Sequence, residues 1–485
     1  MSLSRASRSC ANCRAVKRRC DKQLPSCGQC TRLREKCPGY RDEWELVFRN
    51  QTDQTIQRSK LQKTKANPNK PSITPPLCSL GPNLDQIGVN YFLHHFVTSD
   101  HSHSRGYLNY VPAVFTADGG HPTLVASMAA VGLMALANSK QQPELVSQAR
   151  VKYSEAICCV NAALASPVDS LQDSTLMSVI SLGVFEHFSD LESWVRHAHG
   201  AAALMVVRGK SQFRSPAAIL MFHQVRTDLA IACMHTNKPF PVDMEELQEE
   251  ASKYADTSSA FWLLGVLATR CVSLLYSVDN NKGVIPWFNL LDDATALQRD
   301  FQFVFGVLAI QEPYTTARGY AVDPDLIYNG RFDLYRTSWA IRVWNNARNL
   351  QMIVCEIVCY LVNKVLVVTP ELPLPARARV KTKFHETLRL LSKLGEDILA
   401  TAPQVLGVVS PVLEHRLAVE FSLEASVSGG YILTWGLYMV GKSATTPAKT
   451  REWIIRRLQD IVKNSGITLA RQLLDYIVRL DQRTG

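Results

Sequence analysis

No apolar run in this 485-residue chain reaches the roughly 18 residues that a helix needs to cross a bilayer core. The longest candidates are residues 123–137, which are too few, and 353–368, which Glu356 and Lys364 interrupt. No membrane partner is expected. The N-terminal MSLSRASRSC lacks the apolar core of a secretory signal. Both absences point to an intracellular protein whose thirteen cysteines are reduced, so a tight cysteine pattern reads as metal binding rather than disulfides. Catalytic signatures are missing too. There is no phosphate-cradling glycine loop, no nucleophile elbow and no HExxH, and the Asp, Glu and His residues show no spacing suited to acid–base chemistry. The chain does not read as an enzyme.

What is present is a strong charge asymmetry. Residues 1–75 hold 17 Lys/Arg against 6 Asp/Glu, a net of +11, while the rest of the chain sums to −1. A localised basic block is the electrostatic footprint of nucleic-acid binding. Composition also changes along the chain. Residues 1–40 are dense in Cys, Lys and Arg. Residues 41–83 are polar and, towards their end, proline-rich, and they read as a linker. Residues 84–485 turn apolar, with helical periodicity over 122–137, 144–165, 170–187, 193–207, 217–235, 337–368, 376–399 and 450–480. Alternating strand patterns are scarce. The fold class expected is a small metal-stabilised module followed by a large all-α domain of ten to fifteen helices.

The chemistry sits in Cys10, Cys13, Cys20, Cys27, Cys30 and Cys37, spaced C-x2-C-x6-C-x6-C-x2-C-x6-C. The second three repeat the first three at an offset of seventeen residues. Zinc takes four tetrahedral ligands, so three thiolates leave each half one short. Two zinc ions need eight metal–sulfur bonds, and six sulfurs supply eight only if two of them bridge. A symmetric arrangement bridges with the same position in each half, and Cys10 with Cys27 is one such pair. Two Zn2+ and six thiolates sum to −2, which nearby cations offset. Arg14, Lys17 and Arg18 stand at i, i+3 and i+4, as if on one face of a short helix. Such a face can enter the major groove, where Lys or Arg meets guanine O6 and N7.

The stretch CANCRAVKRRCDKQLPSCGQCTRLREKC resembles the fungal binuclear zinc cluster family. The resemblance includes Arg14, Lys17, Arg19, Asp21 and Pro25 at their family positions. It implies two short helices around a binuclear site, with two zinc ions per chain. The first and fourth cysteines would bridge, here Cys10 and Cys27. One zinc would then hold Cys10, Cys13, Cys20 and Cys27, and the other Cys10, Cys27, Cys30 and Cys37. It further implies that Lys17 reads bases, usually of a CGG-type triplet, while Arg14, Arg18 and Arg19 lie on phosphates or beside the cluster. Residues 185–209, with Trp194, His197, Gly200, Ala201, Arg208 and Gly209, are similar to part of the fungal-specific regulatory domain. By themselves they read as an amphipathic helix stopped by Gly209, with Trp194 and His197 as packing residues.

The expected function is that of a nuclear, sequence-specific regulator of RNA polymerase II transcription, with double-stranded DNA and transcription co-regulators as partners. The resemblance points to specialised-metabolite or nutrient-use genes as targets. Rival readings are an interaction protein that sequesters other regulators, and an enzyme with an accessory zinc module. Past Cys37, Trp44, Val47 and Phe48 share a helical face, but no heptad continues through several turns, so monomer and homodimer both stay open. Arg58, Lys60, Lys63 and Lys65 suit phosphate contacts or nuclear import. His94, His95, His101 and His103 match no metal spacing. The acidic run 243–250 reads as a helix start, and the seven other cysteines as small hydrophobes.

Overall fold

The computed structural model describes residues 9–40, 83–97, 107–118, 120–188, 191–318, 325–409 and 427–484. The linker, the Trp44 face, Arg58, Lys60, Lys63, Lys65, Cys78, His101 and His103 lie outside the described residues. The chain divides into two compact units, Met1–Leu80 and Gly81–Gly485.

The first unit carries two five-residue helices, α1 (Ala11–Ala15) and α2 (Gly28–Arg32). Each begins at a cysteine, Cys10 or Cys27, whose sulfur accepts a hydrogen bond from the backbone N–H of the cysteine three residues on. Each ends within a turn and a half. The cysteine sulfurs, with Tyr40 packed beside them, make up the interior of this unit. So small an apolar core cannot offset the entropy of ordering the chain.

The second unit is helical. Among the described residues it holds sixteen α-helices, one more than the upper end of the expected range. They are α3 (Leu84–Phe96), α4 (Val111–Asp118), α5 (Pro122–Ser139), α6 (Pro143–Ala165), α7 (Asp173–Glu186), α8 (Leu191–Arg208), α9 (Pro216–Thr236), α10 (Val242–Ala251), α11 (Ala260–Asp279), α12 (Trp287–Gln311), α13 (Ser338–Val368), α14 (Leu374–Leu399), α15 (Ala402–Val405), α16 (Val427–Lys442), α17 (Ala448–Ser465) and α18 (Thr468–Thr484). Proline opens α5, α6 and α9 at the first position, where its missing N–H costs nothing. Gly209, at φ +70°, stops α8. Gly466, at φ +66°, divides what periodicity had suggested was one helix over 450–480 into α17 and α18. The acidic run opens α10, with Asp243 and Glu245 in its first turn.

One departure from the all-α expectation and one from the reading of apolar run length have physical causes. Strands β1 (Tyr314–Arg318) and β2 (Arg331–Tyr335) pair antiparallel, Tyr314 opposite Tyr335 and Ala317 opposite Phe332. The pair is too short to show period-2 alternation, and tertiary bonds hold it: buried Asp333 accepts from Thr316 Oγ1 at 2.7 Å and from Arg331 at 3.0 Å, and Arg331 also reaches Asp397 at 2.8 Å. Secondly, α5, α9, α11 and α13 are each long and apolar enough to cross a membrane by length and composition. Run length does not reveal this, because single polar residues break a run without lowering its average. In the fold, between 50% and 72% of each such window is buried inside the domain.

Close packing fixes the layout. Helix α5 buries twelve of its eighteen residues and meets α3 where Gly88 and Gly132 face each other; a Cβ on either would overlap the opposing backbone. Helix α13 is the spine of the second half, against α11, α12, α14 and α16. Its Arg348 is buried, donating to the Tyr335 hydroxyl at 2.9 Å and to Asn345 Oδ1 at 3.1 Å, over the Trp344 ring. Buried Arg226 on α9 ties α10 and α11 together through Gln248 Oε1 (2.8 Å) and the Trp262 carbonyl (3.1 Å). Trp194 is buried in the core, and His197 lies within reach of the Tyr153 hydroxyl, both as packing residues.

Candidate metal centre and nucleic-acid interface

The first unit gathers six sulfurs into two groups of four. One is Cys10, Cys13, Cys20 and Cys27; the other is Cys10, Cys27, Cys30 and Cys37. Within each group all ligand atoms lie within 4.8 Å of one another, and Cys10 and Cys27 belong to both. The sulfurs of Cys10 and Cys27, of Cys10 and Cys30, and of Cys13 and Cys27 stand 3.7 Å apart. A zinc–sulfur bond of about 2.3 Å sets a tetrahedral edge near 3.8 Å. The residues present therefore fit two tetrahedral zinc ions sharing an edge. His94 and His95 join no such group among the described residues.

Local chain geometry brings the sulfurs together. The N–H groups of Cys13 and Cys30 donate to the sulfurs of Cys10 and Cys27, each at 3.4 Å, so a helix N-terminus points at each shared sulfur. Each helix then closes with a left-handed residue. Lys17 has φ +51°; its N–H donates to Arg14 O at 3.2 Å and the Arg18 N–H donates to Cys13 O at 2.8 Å. Seventeen residues on, Arg34 has φ +55°, and the same bonds run from Arg34 to Thr31 O (3.2 Å) and from Glu35 to Cys30 O (2.9 Å). This is the Schellman closure, made twice without glycine. It turns the chain sharply enough for Cys20 and Cys37 to return to the centre.

The electrostatics of the thiols follow the same repeat. Backbone hydrogen bonds from Cys10 and Lys22 lower the Cys20 thiol, and those from Cys27 and Gly39 lower Cys37 to about 7. Burial instead pushes Cys13 up to about 12 and raises Cys30 further. Ionising the whole set thus calls for the counter-charge of two dications. Elsewhere burial pushes Cys355 up to about 12 and Cys233 and Cys359 to about 11, in keeping with small apolar side chains rather than thiolates. Cys158 is exposed.

Arg14, Lys17 and Arg18 do not share one helical face, because α1 ends at Ala15. Lys17 lies beyond its C-cap, and the closure separates the three. Arg14 is half-buried and donates to Ser9 O at 2.9 Å. Arg18 pairs with Glu35 at 2.8 Å. Lys17 and Arg19 are exposed, and among the described residues neither has an ion-pair partner. Sequence reasoning missed Glu35, although the repeat contains the signal: Glu35 is the counterpart of Arg18 seventeen residues on, with opposite charge. It likewise missed Arg34 and Lys36, the counterparts of Lys17 and Arg19, both exposed. Asp21 was noted only as a resemblance; its carboxylate accepts from the Gly28 N–H at 3.0 Å and caps α2.

Residues 8–44 match the fungal Zn(2)-Cys(6) binuclear cluster domain. No curated protein and no solved structure matches the chain. Members of this domain family bind two zinc ions, and the zinc cluster here has its six cysteines gathered to do so. Two zinc ions are this module's cofactor. The family is a DNA-binding domain of fungal transcription regulators, and the zinc cluster gives this chain that class of function. The match ends at residue 44, before the helical unit begins.

Proposed function

We propose that the chain is a nuclear, sequence-specific regulator of RNA polymerase II transcription that reads CGG-like triplets. In this reading Cys10 and Cys27 bridge the two zinc ions, and the four other cysteines complete the tetrahedra. The turn after α1 enters the major groove. Lys17 reads guanine, Arg19 meets phosphate, and Arg14 and Arg18 hold the module's shape. Residues 41–83 act as linker, and the helical domain from residue 84 regulates activity by binding co-regulators. Specialised-metabolite or nutrient-use genes are the proposed target class, by the resemblance of residues 185–209.

The observation that carries the proposal is the placement of Lys17. The left-handed closure puts an exposed ammonium at the turn beside α1, while the guanidiniums of Arg14 and Arg18 are engaged within the module. Lys17→Ala removes no metal ligand, so the chain should retain two zinc ions by metal analysis. Binding to a selected CGG-containing duplex should weaken by about 1–3 kcal/mol, and binding to a scrambled duplex much less. Fluorescence anisotropy with both duplexes at one salt concentration checks this. Equal losses on both would make Lys17 a phosphate anchor and move base reading elsewhere.

A further inference from the structure

The two halves of the zinc module are related by a near two-fold exchange. The Cys10–Cys30 and Cys13–Cys27 sulfur pairs, each at 3.7 Å, are one contact made in both directions, since each residue's counterpart lies seventeen positions away. Counterparts that touch each other lie at the axis of that exchange. Cys10 and Cys27 do so at 3.7 Å, and Arg18 and Glu35 at 2.8 Å. The turn at Arg34 is therefore held beside the turn at Lys17, and Asn12 of α1 donates to the Lys36 carbonyl at 3.2 Å. Around the Arg18–Glu35 pair stand two pairs of exposed cations, Lys17 with Arg34 and Arg19 with Lys36. The described residues of this unit include two carboxylates, and both are engaged, Glu35 by Arg18 and Asp21 by the Gly28 N–H. That leaves no free carboxylate among the described residues to offset the four. The backbone points the same way. Of four left-handed positions in the module, Lys17, Lys22 and Arg34 are cationic, and Gly39, the counterpart of Lys22, is glycine. A side chain there costs roughly 1–2 kcal/mol that glycine avoids, and such strain clusters at functional surfaces.

We propose that Arg34 and Lys36 form a second DNA contact, gripping backbone phosphates of the same duplex whose bases Lys17 meets. The inference rests on the proposed DNA contact through the first turn, but not on the CGG sequence. The Arg34 guanidinium matches a phosphate with its two-pronged fork, and Lys36 adds a point charge beside it. The Arg18–Glu35 pair neutralises the centre of this face and leaves charge on both flanks. That distribution suits a groove with a phosphate strand alongside better than one compact anion.

Salt titrations of the purified, zinc-loaded full chain test it, on the selected CGG-containing duplex and on a scrambled one. Arg34→Asn supplies a residue that tolerates left-handed backbone, and Lys36→Gln changes no left-handed position. Each should lower the slope of log K against log salt by about 0.9, and the two together by about 1.8, on both duplexes. At 0.1 M salt the double variant should bind roughly 60-fold more weakly, with the ratio between duplexes unchanged and two zinc ions retained by metal analysis. Arg34→Lys should keep most of the slope. Should Arg34→Asn release zinc, Lys36→Gln alone carries the test. Neutral methylphosphonates set one at a time beside the triplet separate contact from field: at one or two positions the wild type should lose affinity and the double variant should not. An unchanged slope in a variant that keeps both zinc ions, or no position at which wild type and variant differ, would overturn the inference. A loss confined to the selected duplex would overturn it too, assigning Arg34 to bases. If the wild type prefers neither duplex, the CGG reading fails, and the slope on the scrambled duplex still decides this inference.

Discussion

Replacing Lys17 with glycine should act in opposite directions on the metal and on DNA. Lys17 sits at φ +51°, where a side chain with a Cβ costs roughly 1–2 kcal/mol. Glycine relieves that strain but gives the unfolded chain more freedom, offsetting roughly 0.5–1 kcal/mol. The net gain in the folded module is about 0.5–1 kcal/mol. Because zinc binding and folding of such a module are one equilibrium, the gain should appear as zinc held about two- to fivefold more tightly in competition with a chromogenic chelator at fixed pH. Lys17→Ala keeps the Cβ and should show no such gain. Both variants should lose affinity for the selected duplex, since both lose the ammonium. Arg34→Gly, at φ +55° in the second half, should reproduce the zinc gain with little loss of sequence discrimination. If Lys17→Gly holds zinc no better than Lys17→Ala, the left-handed closure is refuted. If Arg34→Gly costs as much discrimination as Lys17→Gly, base reading does not belong to the first half alone.

Three further outcomes are expected. Glu35→Ala should release Arg18 from its 2.8 Å pair; stability should change little because solvent screens both partners, while the salt dependence of DNA binding steepens by about 0.9 if Arg18 reaches a phosphate. An unchanged slope in a salt titration would keep Arg18 structural. Gly132→Ala should force α5 away from the Gly88 backbone and destabilise the helical unit by about 1–3 kcal/mol, read as a lowered thermal midpoint with zinc content intact. Burial holds His187 at about 4 against an ordinary 6.5, so the unfolded chain takes up its proton first on acidification. The contribution of His187 should be complete above about pH 6.5 and fall by up to about 1.4 kcal/mol per pH unit between there and pH 4. Urea midpoints at several pH values should show this, and His187→Gln should lessen the slope while buried His223, held at about 3, still contributes with the same sign.

The zinc module was legible because its information is local. Six cysteines at fixed spacing state a metal stoichiometry, and the offset of seventeen states an internal symmetry. That symmetry even holds the Arg18–Glu35 pair, had each residue been compared with its counterpart. What it could not give was the length of α1. A face at i, i+3 and i+4 presumes helix running unbroken through Arg18, whereas the return of Cys20 to the centre requires the chain to turn at Lys17.

In the helical unit, sequence alone determined where many helices lie, since 3.6-residue periodicity and proline or glycine boundaries act within one element. Helices α11 and α16 are apolar over much of their surface, which blurs a one-sided pattern; α12 does carry one, in Leu290, Ala294, Leu297, Phe301, Val304 and Leu308, and Gly466 was hidden within a continuous amphipathic stretch. Only tertiary structure decided the rest. The β1–β2 pair exists because Asp333 finds Thr316 and Arg331, and Arg348 is tolerated because Tyr335 and Asn345 close over it. A cavity among α9, α11, α13 and α16 is formed by side chains from residues 227 to 442. Such features depend on which faces meet across long sequence separations, and no local pattern records that.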